Sequence, residues 1–506
     1  MSGEYSDEAL RNRNVSIDIS GEDFRKLGHA LVDDLAEFLE SLPNRKVVNS
    51  KSVKEVQALV GNDSLPQGGT DPGTLLKDTT KLLADYSLFN GHPGFMGYVT
   101  SSAAPIGMLG DFLASAVNQN VGAWQLSPVA TEVEAQTISW IAELIGYPST
   151  CGGLMVSGGN MANFVGFLAG RKSRTPWDIR KEGIQKQTRQ LRVYCSDATH
   201  TWVHKAADLF SLGTDAIRWI PSDLDQHMDV EKLELQIEAD IKVGFIPILV
   251  AASAGTVATG AVDHINKIAD ICEANDLWLH VDRAYGAMAA ALPEASEDLK
   301  AISRADSVAL DPHKWLYAPL EAGTTLVKNP QDLSDAFAFN PDYYQFDLEG
   351  DQPPTNYFEL GLQNSRGFRA LKVWLGFKQV GGPAFVDMIR QDIQLAQAIK
   401  EVIDQSKELE SFTRHLSITT FRYVPNDLSD QKAEQLDYLN QLNEALLTQL
   451  QKEGEAFVSN AVLHGTYVLR ACIVNFRTTL NEIEKLPEIV IRIGRSLDVD
   501  MRPQPS

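Results

Sequence analysis

Ser307-Val-Ala-Leu-Asp-Pro-His-Lys-Trp315 is the stretch of this chain that says most about both its fold and its chemistry. A short run suited to a buried strand ends at Leu310 and is followed directly by an acidic residue, a proline, a histidine and a lysine. Ligands of a parallel sheet bind beyond the carboxyl ends of its strands, so polar residues in this position are candidates for a binding site. Three other apolar runs lead in the same way into Ser157-Gly-Gly-Asn160, Ser196-Asp-Ala-Thr-His200 and Asp282-Arg-Ala-Tyr285.

The middle of the chain alternates short apolar runs with amphipathic helical patterns. This alternation is typical of an α/β fold with a mostly parallel central sheet covered by helices on both faces. The pattern predicts strands at 153–156, 191–195, 246–251, 277–281, 307–310 and 324–327. Later strands are predicted at 417–423 and 471–477.

Three regions are predicted along the chain. Residues 1–90 carry helical periodicity, including an amphipathic helix over 21–42, and form an N-terminal helical segment. Residues 91–380 form the large domain, and residues 381–506, after a hinge at Gly381-Gly-Pro383, form a small α+β domain. The acidic stretch 342–356, with its Gly-Asp and Pro-Pro pairs, reads as a long loop.

Composition narrows the classes of function. The chain has 506 residues and a net charge of −22, which would repel nucleic acid phosphates and anionic membranes. No window approaches the ~18 uninterrupted apolar residues of a membrane span, and the polar N-terminus carries no secretion signal, so a cytoplasmic location is expected. The four cysteines are widely spaced and are expected to be reduced thiols.

A lysine, an acidic residue and a glycine-rich helix start, each at a strand end, are what a pyridoxal 5′-phosphate (PLP) site requires. The deprotonated lysine amine forms an imine with the cofactor aldehyde. The acidic partner keeps the pyridine nitrogen protonated, so that the ring can accept electrons. The phosphate binds the free N–H groups and the positive dipole of a helix N-terminus, which glycines let it approach closely.

Each of these signals has an ordinary alternative. A Gly-Gly pair is most often a turn, and an aspartate after a strand is commonly a helix cap or a solvated turn. His200 and His204 are spaced like a metal-binding pair, but no third ligand is evident, so no metal site is expected. The joint occurrence of the signals at strand ends favours the PLP site. A nucleotide-binding dehydrogenase is disfavoured because no G-x-G-x-x-G follows the first strand.

The Asp-Pro-His-Lys-Trp box at 311–315, with Asp282-Arg-Ala-Tyr285 before it and Ser196-Asp-Ala-Thr-His200 upstream, resembles the PLP-dependent group II amino acid decarboxylases. This family contains the aromatic-L-amino-acid, histidine and glutamate decarboxylases. The resemblance implies the type I, aspartate aminotransferase-like PLP fold. It also implies an intertwined homodimer in which the N-terminal helices pack across the partner.

The resemblance assigns roles to four residues of the predicted cavity. Lys314 would be the Schiff-base lysine, Asp282 the pyridinium partner, and His200 the imidazole stacked on the cofactor ring. Ala284 would lie against the other face of the ring.

Further residues are assigned to the phosphate and to the proton transfer. Gly159, Asn160 and the backbone of His313 would hold the phosphate, and Thr256 would line the same cleft. Tyr357, in Thr355-Asn-Tyr357, is the predicted general acid that protonates the substrate carbon after carbon dioxide leaves. Tyr343 and Tyr344 lie in the same loop and stay open as alternatives.

The implied reaction is decarboxylation of an L-amino acid to the amine and carbon dioxide, and an aromatic substrate is the first expectation. The substrate pocket departs from aromatic-L-amino-acid decarboxylases, because Tyr98-Val-Thr100 stands where they carry Tyr-Phe-Pro, and Gly122-Ala123 stands where bulkier residues are usual. A PLP-dependent aldehyde synthase or carbon–carbon lyase on the same fold is the main alternative. A catalytically silent dimeric scaffold is a remote one.

Overall fold

The structure is a computed structural model that describes residues 6–13, 15–184, 189–339, 354–430 and 432–502. The chain divides into two compact units, residues 1–89 and residues 90–506. The three-part division into 1–90, 91–380 and 381–506 stays a prediction. Of the predicted loop 342–356, residues 342–353 lie outside the described residues, and Tyr343 and Tyr344 are among them.

The first unit is helical. Its second helix begins after Ser20, whose side chain accepts a hydrogen bond from the Asp23 N–H, and it ends just before Pro43, as the periodicity predicts. The third helix begins with a capping box between Ser52 and Glu55. The helices are α1 (Asp7–Arg11), α2 (Gly21–Ser41), α3 (Val53–Val60) and α4 (Pro72–Tyr86).

A seven-stranded sheet forms the centre of the second unit, as far as the described residues show. The strands are β1 (Gly152–Val156), β2 (Leu191–Ser196), β3 (Ile217–Ile220), β4 (Ile246–Ser253), β5 (Trp278–Asp282), β6 (Ser307–Leu310) and β7 (Gly323–Val327). Their order is β1-β7-β6-β5-β4-β2-β3. Six of these strands were predicted; the four residues of β3 are too few to show a clear pattern.

The predicted mostly parallel α/β architecture is confirmed. Strands β2 to β6 pair in parallel, and β7 alone runs against its neighbours β6 and β1. Consequently β1, β4, β5 and β6 all point the same way, and their carboxyl ends meet at one edge of the sheet. The four polar segments singled out in the sequence follow β1, β2, β5 and β6 at that edge.

Helices cover the sheet and bury its apolar side chains in one core. Helix α7 begins directly after β1 and packs across β4 to β7, so its N-terminus lies at the carboxyl edge. These helices are α5 (Pro105–Val117), α6 (Pro128–Leu144), α7 (Gly159–Arg174), α8 (Ile179–Glu182), α9 (Trp202–Leu209), α10 (Val230–Lys242), α11 (Ile265–Ala274), α12 (Glu297–Lys300), α13 (Pro312–Trp315), α14 (Gln331–Phe337) and α15 (Ala370–Asp404).

A buried ion pair holds the outer strand β1 in place. Glu134 and Arg366 are almost fully buried and form a hydrogen-bonded pair. The Glu134 carboxylate accepts from the Met155 N–H at 2.8 Å, and Arg366 donates to the Met155 carbonyl at 2.7 Å. The pair therefore occupies the backbone groups of Met155 on the side of β1 that has no neighbouring strand, two residues before the Gly-rich segment that begins at Ser157.

The C-terminal part of the second unit contains an antiparallel four-stranded sheet in the order β10-β11-β9-β8. Its strands are β8 (Leu409–His415), β9 (Ile418–Tyr423), β10 (Ser459–Leu463) and β11 (Thr466–Cys472), and its helices are α16 (Leu436–Glu453) and α17 (Leu480–Met501). The predicted strand 471–477 was misplaced, since β11 ends at Cys472. Helix α15 consists of two helical segments that meet at a kink at Gly381, the first residue of the predicted hinge, where the backbone leaves the helical region with a φ of 78°.

Among the described residues, no helix combines the length and the apolar character that crossing a membrane requires.

Candidate active site

A cavity of about 410 Å³ lies at the carboxyl edge of the central sheet. It brings together residues from the ends of five strands, β1, β2, β4, β5 and β6, and from the C-terminal sheet. Eight of the nine predicted site residues line it: Gly159, Asn160, His200, Thr256, Asp282, Ala284, His313 and Lys314. The ninth, Tyr357, is not among them.

Lys314 follows β6 in the short helix α13, and its side chain is mostly buried. The Nζ atom lies 3.1 Å from Oδ2 of Asp311, the residue that directly follows the strand. Oδ1 of Asp311 is buried and has no hydrogen-bond partner. The cavity therefore contains an amine next to a carboxylate, one oxygen of which accepts no hydrogen bond. A buried polar atom of this kind is typical of a site that binds a ligand.

Asp282 is the last residue of β5, and its Oδ1 accepts a hydrogen bond from the Ala284 N–H at 3.2 Å. His200 follows β2, and its Nδ1 accepts from the Trp202 N–H at 3.3 Å. Burial lowers the pKa of His200, and the positive charge of Lys314 lowers it further, while Asp282 acts in the opposite direction. His200 is therefore a neutral imidazole at pH 7.

Gly158 and Gly159, between β1 and the body of α7, have no side chains and so leave open space in the cavity. Gly158 has a φ of 116°, which favours glycine. A Cβ on Gly159 would lie 2.8 Å from Oδ2 of Asp311 and 3.2 Å from Cβ of Ala284, too close for any side chain. The N–H groups in the first turn of α7 have no partner within the helix and face this space, so the segment suits an anionic group.

The backbone of His313 is already occupied, contrary to its predicted contact with the phosphate. Its N–H donates to the Ala322 carbonyl at 3.2 Å, and its carbonyl accepts from the Ser101 hydroxyl at 2.7 Å. The His313 side chain lines the cavity instead. Thr256 also lines the cavity, with its hydroxyl 3.0 Å from that of Thr259.

The structure does not bring Tyr357 to the cavity. Its side chain is 2% exposed, and its ring stacks on the Arg366 guanidinium at 4.6 Å. In the described chain this packing holds the Tyr357 side chain away from the residues that line the cavity. The role of Tyr357 as the general acid stays a prediction. The sequence around Tyr357 and Arg366 resembles that of the family, but it does not reveal which side chains of this segment are buried.

Arg470 is a cavity residue that the sequence did not single out. It lies on β11, far from the other site residues in the chain, and it is 2% exposed. Its Nη1 donates to the Ser459 hydroxyl at 2.8 Å, whereas Nε and Nη2 have no partner. A buried guanidinium with two unused donors is costly unless an anion binds it, so Arg470 marks a site for a carboxylate or phosphate. No local motif in the sequence distinguishes it from other arginines.

Asp392 of α15 supports the segment that carries Lys314. Its Oδ2 accepts from the indole N–H of Trp315 and from the hydroxyl of Tyr317, both at 2.8 Å. Burial raises the pKa of Asp392 to about 7. The folded protein therefore binds this proton more tightly than the unfolded chain, whose aspartates titrate near 4.

This raised pKa predicts that the contribution of Asp392 to stability is present at pH 4 and is lost as the pH rises to about 7. Asp392→Asn keeps an acceptor for both donors and removes the titration. We expect its free energy of unfolding to fall less between pH 5 and pH 7 than that of the wild type, with a difference of up to ~1.4 kcal/mol per pH unit. Urea unfolding at several pH values is the measurement. Asp387→Asn, on the exposed side of the same helix, is the control, and equal pH slopes in all three proteins would contradict the prediction.

The residues of the cavity fit PLP. The α7 N-terminus with Gly158 and Gly159 suits the phosphate, Lys314 supplies an amine and Asp282 supplies a carboxylate. The unpartnered Oδ1 of Asp311 and the unused donors of Arg470 are polar groups that cofactor and substrate together would satisfy.

Comparisons with known proteins agree with this fit. The model of the pyridoxal-dependent decarboxylase conserved domain matches residues 56–424. The chain is 35% identical over 472 residues to an aromatic-L-amino-acid decarboxylase of Bacillus atrophaeus, covering 92% of this chain and 95% of the relative. It is 27% identical over 461 residues to a phenylacetaldehyde synthase of a Rosa hybrid cultivar, covering 89% and 90%. The crystal structure of Oryza sativa TDC with PLP and tryptamine superposes with a TM-score of 0.88 and 25% identity, over 95% of this chain and 99% of that one.

Proposed function

Because this chain belongs to the pyridoxal-dependent decarboxylase family and is thus a PLP-dependent carboxy-lyase, we propose that it decarboxylates an aromatic L-amino acid to the amine. The observation that carries the proposal is the joint placement of Lys314, Asp282 and the unpaired Arg470 in one cavity. The name of the Bacillus atrophaeus relative supports the substrate class.

We assign each cavity residue a task. When bound, PLP supplies an aldehyde that bonds to amines and a ring that accepts the electron pair released with carbon dioxide. Lys314 would hold the cofactor through its side-chain amine. Asp282 keeps a proton on the ring nitrogen, and the first turn of α7 at Gly159 and Asn160 binds the phosphate. The neutral His200 contacts the ring, with Ala284 on its other side.

Arg470 is proposed to bind the substrate's carboxylate. Among the described residues that line the cavity, Lys314 and Arg470 are the permanent cations. If Lys314 holds the cofactor and Arg470 binds the substrate's α-carboxylate, no permanent cation of the cavity remains to pair with an acidic side chain of the substrate. The remaining lining near the opening includes Tyr98, Val99 and Leu320, which favours an uncharged, apolar substrate side chain.

Arg470→Met is expected to lower kcat/KM by about 10²-fold, mainly through a higher KM, because hydrogen bonds to charged groups contribute ~1.5–3 kcal/mol. Methionine keeps the length and the burial of the side chain without its charge. Arg470→Lys retains a cation and is expected to lose less. Steady-state kinetics on the preferred substrate decides the point, and an unchanged KM in the methionine variant would refute the assignment.

Tyr357→Phe is expected to lower turnover by less than about tenfold, because phenylalanine keeps the ring against Arg366. Loss of a true general acid costs about 10²–10⁴-fold. Measured kcat values for the wild type and the variant separate these outcomes, and a loss of 100-fold or more would support Tyr357 as the proton donor. Tyr343 and Tyr344 remain the alternative donors from the sequence.

The experiment that tests the function is a turnover screen over the twenty amino acids and the hydroxylated aromatic ones, with carbon dioxide as the readout. Amine, aldehyde and peroxide are measured in the same reactions. Amine and carbon dioxide in equal amounts from an aromatic substrate support the proposal. Aldehyde with hydrogen peroxide, formed with consumption of oxygen, would favour the second candidate, an aldehyde synthase. The name of the Rosa relative, phenylacetaldehyde synthase, is the observation that favours this candidate.

We further propose that the chain works as a homodimer. Helix α5 leaves three large apolar side chains about half exposed: Leu109 at 55%, Phe112 at 51% and Leu113 at 52%. Such a face suits burial against a second copy. Sedimentation analysis of the purified protein measures the assembly. The expected cytoplasmic location stays a prediction.

A further inference from the structure

Histidine and aspartate side chains gather at a second place in unit 90–506, apart from the active-site cavity. Asp223, His227 and His264 offer ligand atoms that all lie within 4.8 Å of one another. We call these three residues the histidine cluster. None of them lines the cavity that holds Lys314.

A buried carboxylate explains why two histidines that are 37 positions apart in the sequence lie side by side. The N–H of Met228, the residue after His227, donates to Oδ1 of Asp263 at 2.7 Å. Asp263 is fully buried and directly precedes His264. The two imidazole rings consequently lie 5.0 Å apart, measured between their centroids.

Asp223 presents one oxygen to the cluster. Its Oδ1 accepts from the N–H groups of Asp225 and His227, each at 2.9 Å, which fixes the carboxylate within its loop. Its Oδ2 lies 3.4 Å from Nδ1 of His227. Two ligands of a tetrahedral ion, each about 2.0–2.1 Å from it, are separated by about 3.3–3.4 Å, so this pair already has the spacing of zinc ligands.

Asp298 orients the second histidine. Its Oδ1 accepts from the Asn266 N–H at 3.0 Å, and its Oδ2 lies 3.4 Å from Nδ1 of His264. Histidines that bind metals commonly donate their other ring N–H to a carboxylate. This arrangement assigns Nδ1 of His264 to Asp298 and leaves Nε2 for an ion. His227, His264 and Asp298 also line a cavity of about 560 Å³, which gives an ion and its waters access.

We propose that Asp223, His227 and His264 bind a zinc ion, with water as the remaining ligand and with Asp298 as a positioning residue. Two imidazoles and one carboxylate suit zinc, whereas calcium and magnesium require more oxygen ligands. No metal site was expected from the sequence, because the histidine pair considered there, His200 and His204, has no evident third ligand. The competing interpretation is that Asp223–His227 and Asp298–His264 are simple ion pairs that bind no ion.

The test is calorimetric titration of zinc into the PLP-loaded full-length protein after treatment with a chelator. We expect one strong site per chain, and binding at least tenfold weaker in His227→Gln and in His264→Gln. Asp298→Asn is expected to weaken binding by about 10–100-fold. His204→Ala is the matched control, because His204 is exposed and stacks on Trp219 outside the cluster.

Cobalt supplies a second readout that does not depend on activity. Cobalt bound to the wild type is expected to give the intense visible bands of a four-coordinate site, which both glutamine variants should lack. Circular dichroism and retained cofactor show that each variant is folded, and Asp223→Asn replaces any variant that is not. Absence of zinc binding in the wild type, or equal binding in the cluster variants, would overturn the proposal.

Discussion

Lys314→Ala is expected to abolish decarboxylation, lowering turnover by at least about 10⁴-fold, and to leave the cofactor without a covalent bond to the protein. Among the described residues that line the cavity, Lys314 supplies the amine that can bond to the cofactor's aldehyde. Its side chain is mostly buried and lies 3.1 Å from the Asp311 carboxylate, and no other lysine is among the described residues that line the cavity. Borohydride reduction followed by mass spectrometry measures the covalent bond, and carbon dioxide release measures turnover.

The matched control for this prediction is Lys328→Ala. Lys328 directly follows β7, the neighbour of the strand that leads to Lys314, but its side chain lies at the opposite edge of the sheet and is exposed. This control should keep both the covalent cofactor and the turnover of the wild type. A reduced cofactor adduct on the Lys314→Ala protein would contradict the assignment of Lys314 and, with it, the proposed function.

Asp282→Asn is expected to lower kcat by about 10²–10³-fold while the cofactor stays bonded to Lys314. Asparagine can still accept the hydrogen bond from the Ala284 N–H, so the local backbone is preserved. It cannot provide the negative charge that keeps the ring nitrogen protonated, and the ring then accepts electrons poorly. The retained covalent bond distinguishes this result from a failure to bind the cofactor.

Asp197→Asn is the control for Asp282→Asn. Asp197 also follows a parallel strand directly, but its carboxylate accepts from the Ser222 N–H at 3.1 Å and does not line the cavity. Its variant should show wild-type kcat. If Asp282→Asn also turned over at the wild-type rate, another group would have to hold the proton on the ring, and the role assigned to Asp282 would be wrong.

The site residues near strand ends were predictable, because their signal is local. An apolar run followed by Asp282, or by Asp311 to Lys314, identifies a strand and the residue that leaves it, and parallel strands bring such residues to one edge. The same reasoning placed Gly159 and Asn160 at the start of α7. The prediction about the His313 backbone failed, since the sequence does not show that its N–H would pair with Ala322.

Other residues could not be predicted, because their roles depend on contacts between distant segments. Glu134 lies inside α6 and pairs with Arg366, which is 232 positions away in the chain. Tyr357 looked like a loop residue near the substrate and is instead packed on that same arginine.

The sequence by itself determined the mostly parallel sheet, the strand-end positions of Lys314 and Asp282, and the family resemblance, because periodicity and strand-end residues are properties of short segments. Only the tertiary structure decided that Arg470 of the C-terminal sheet enters the cavity with two unused donors and that His227 and His264 lie side by side. Each of these depends on how separate elements pack together. Packing is set by the whole set of buried contacts, and no local pattern of residues records it.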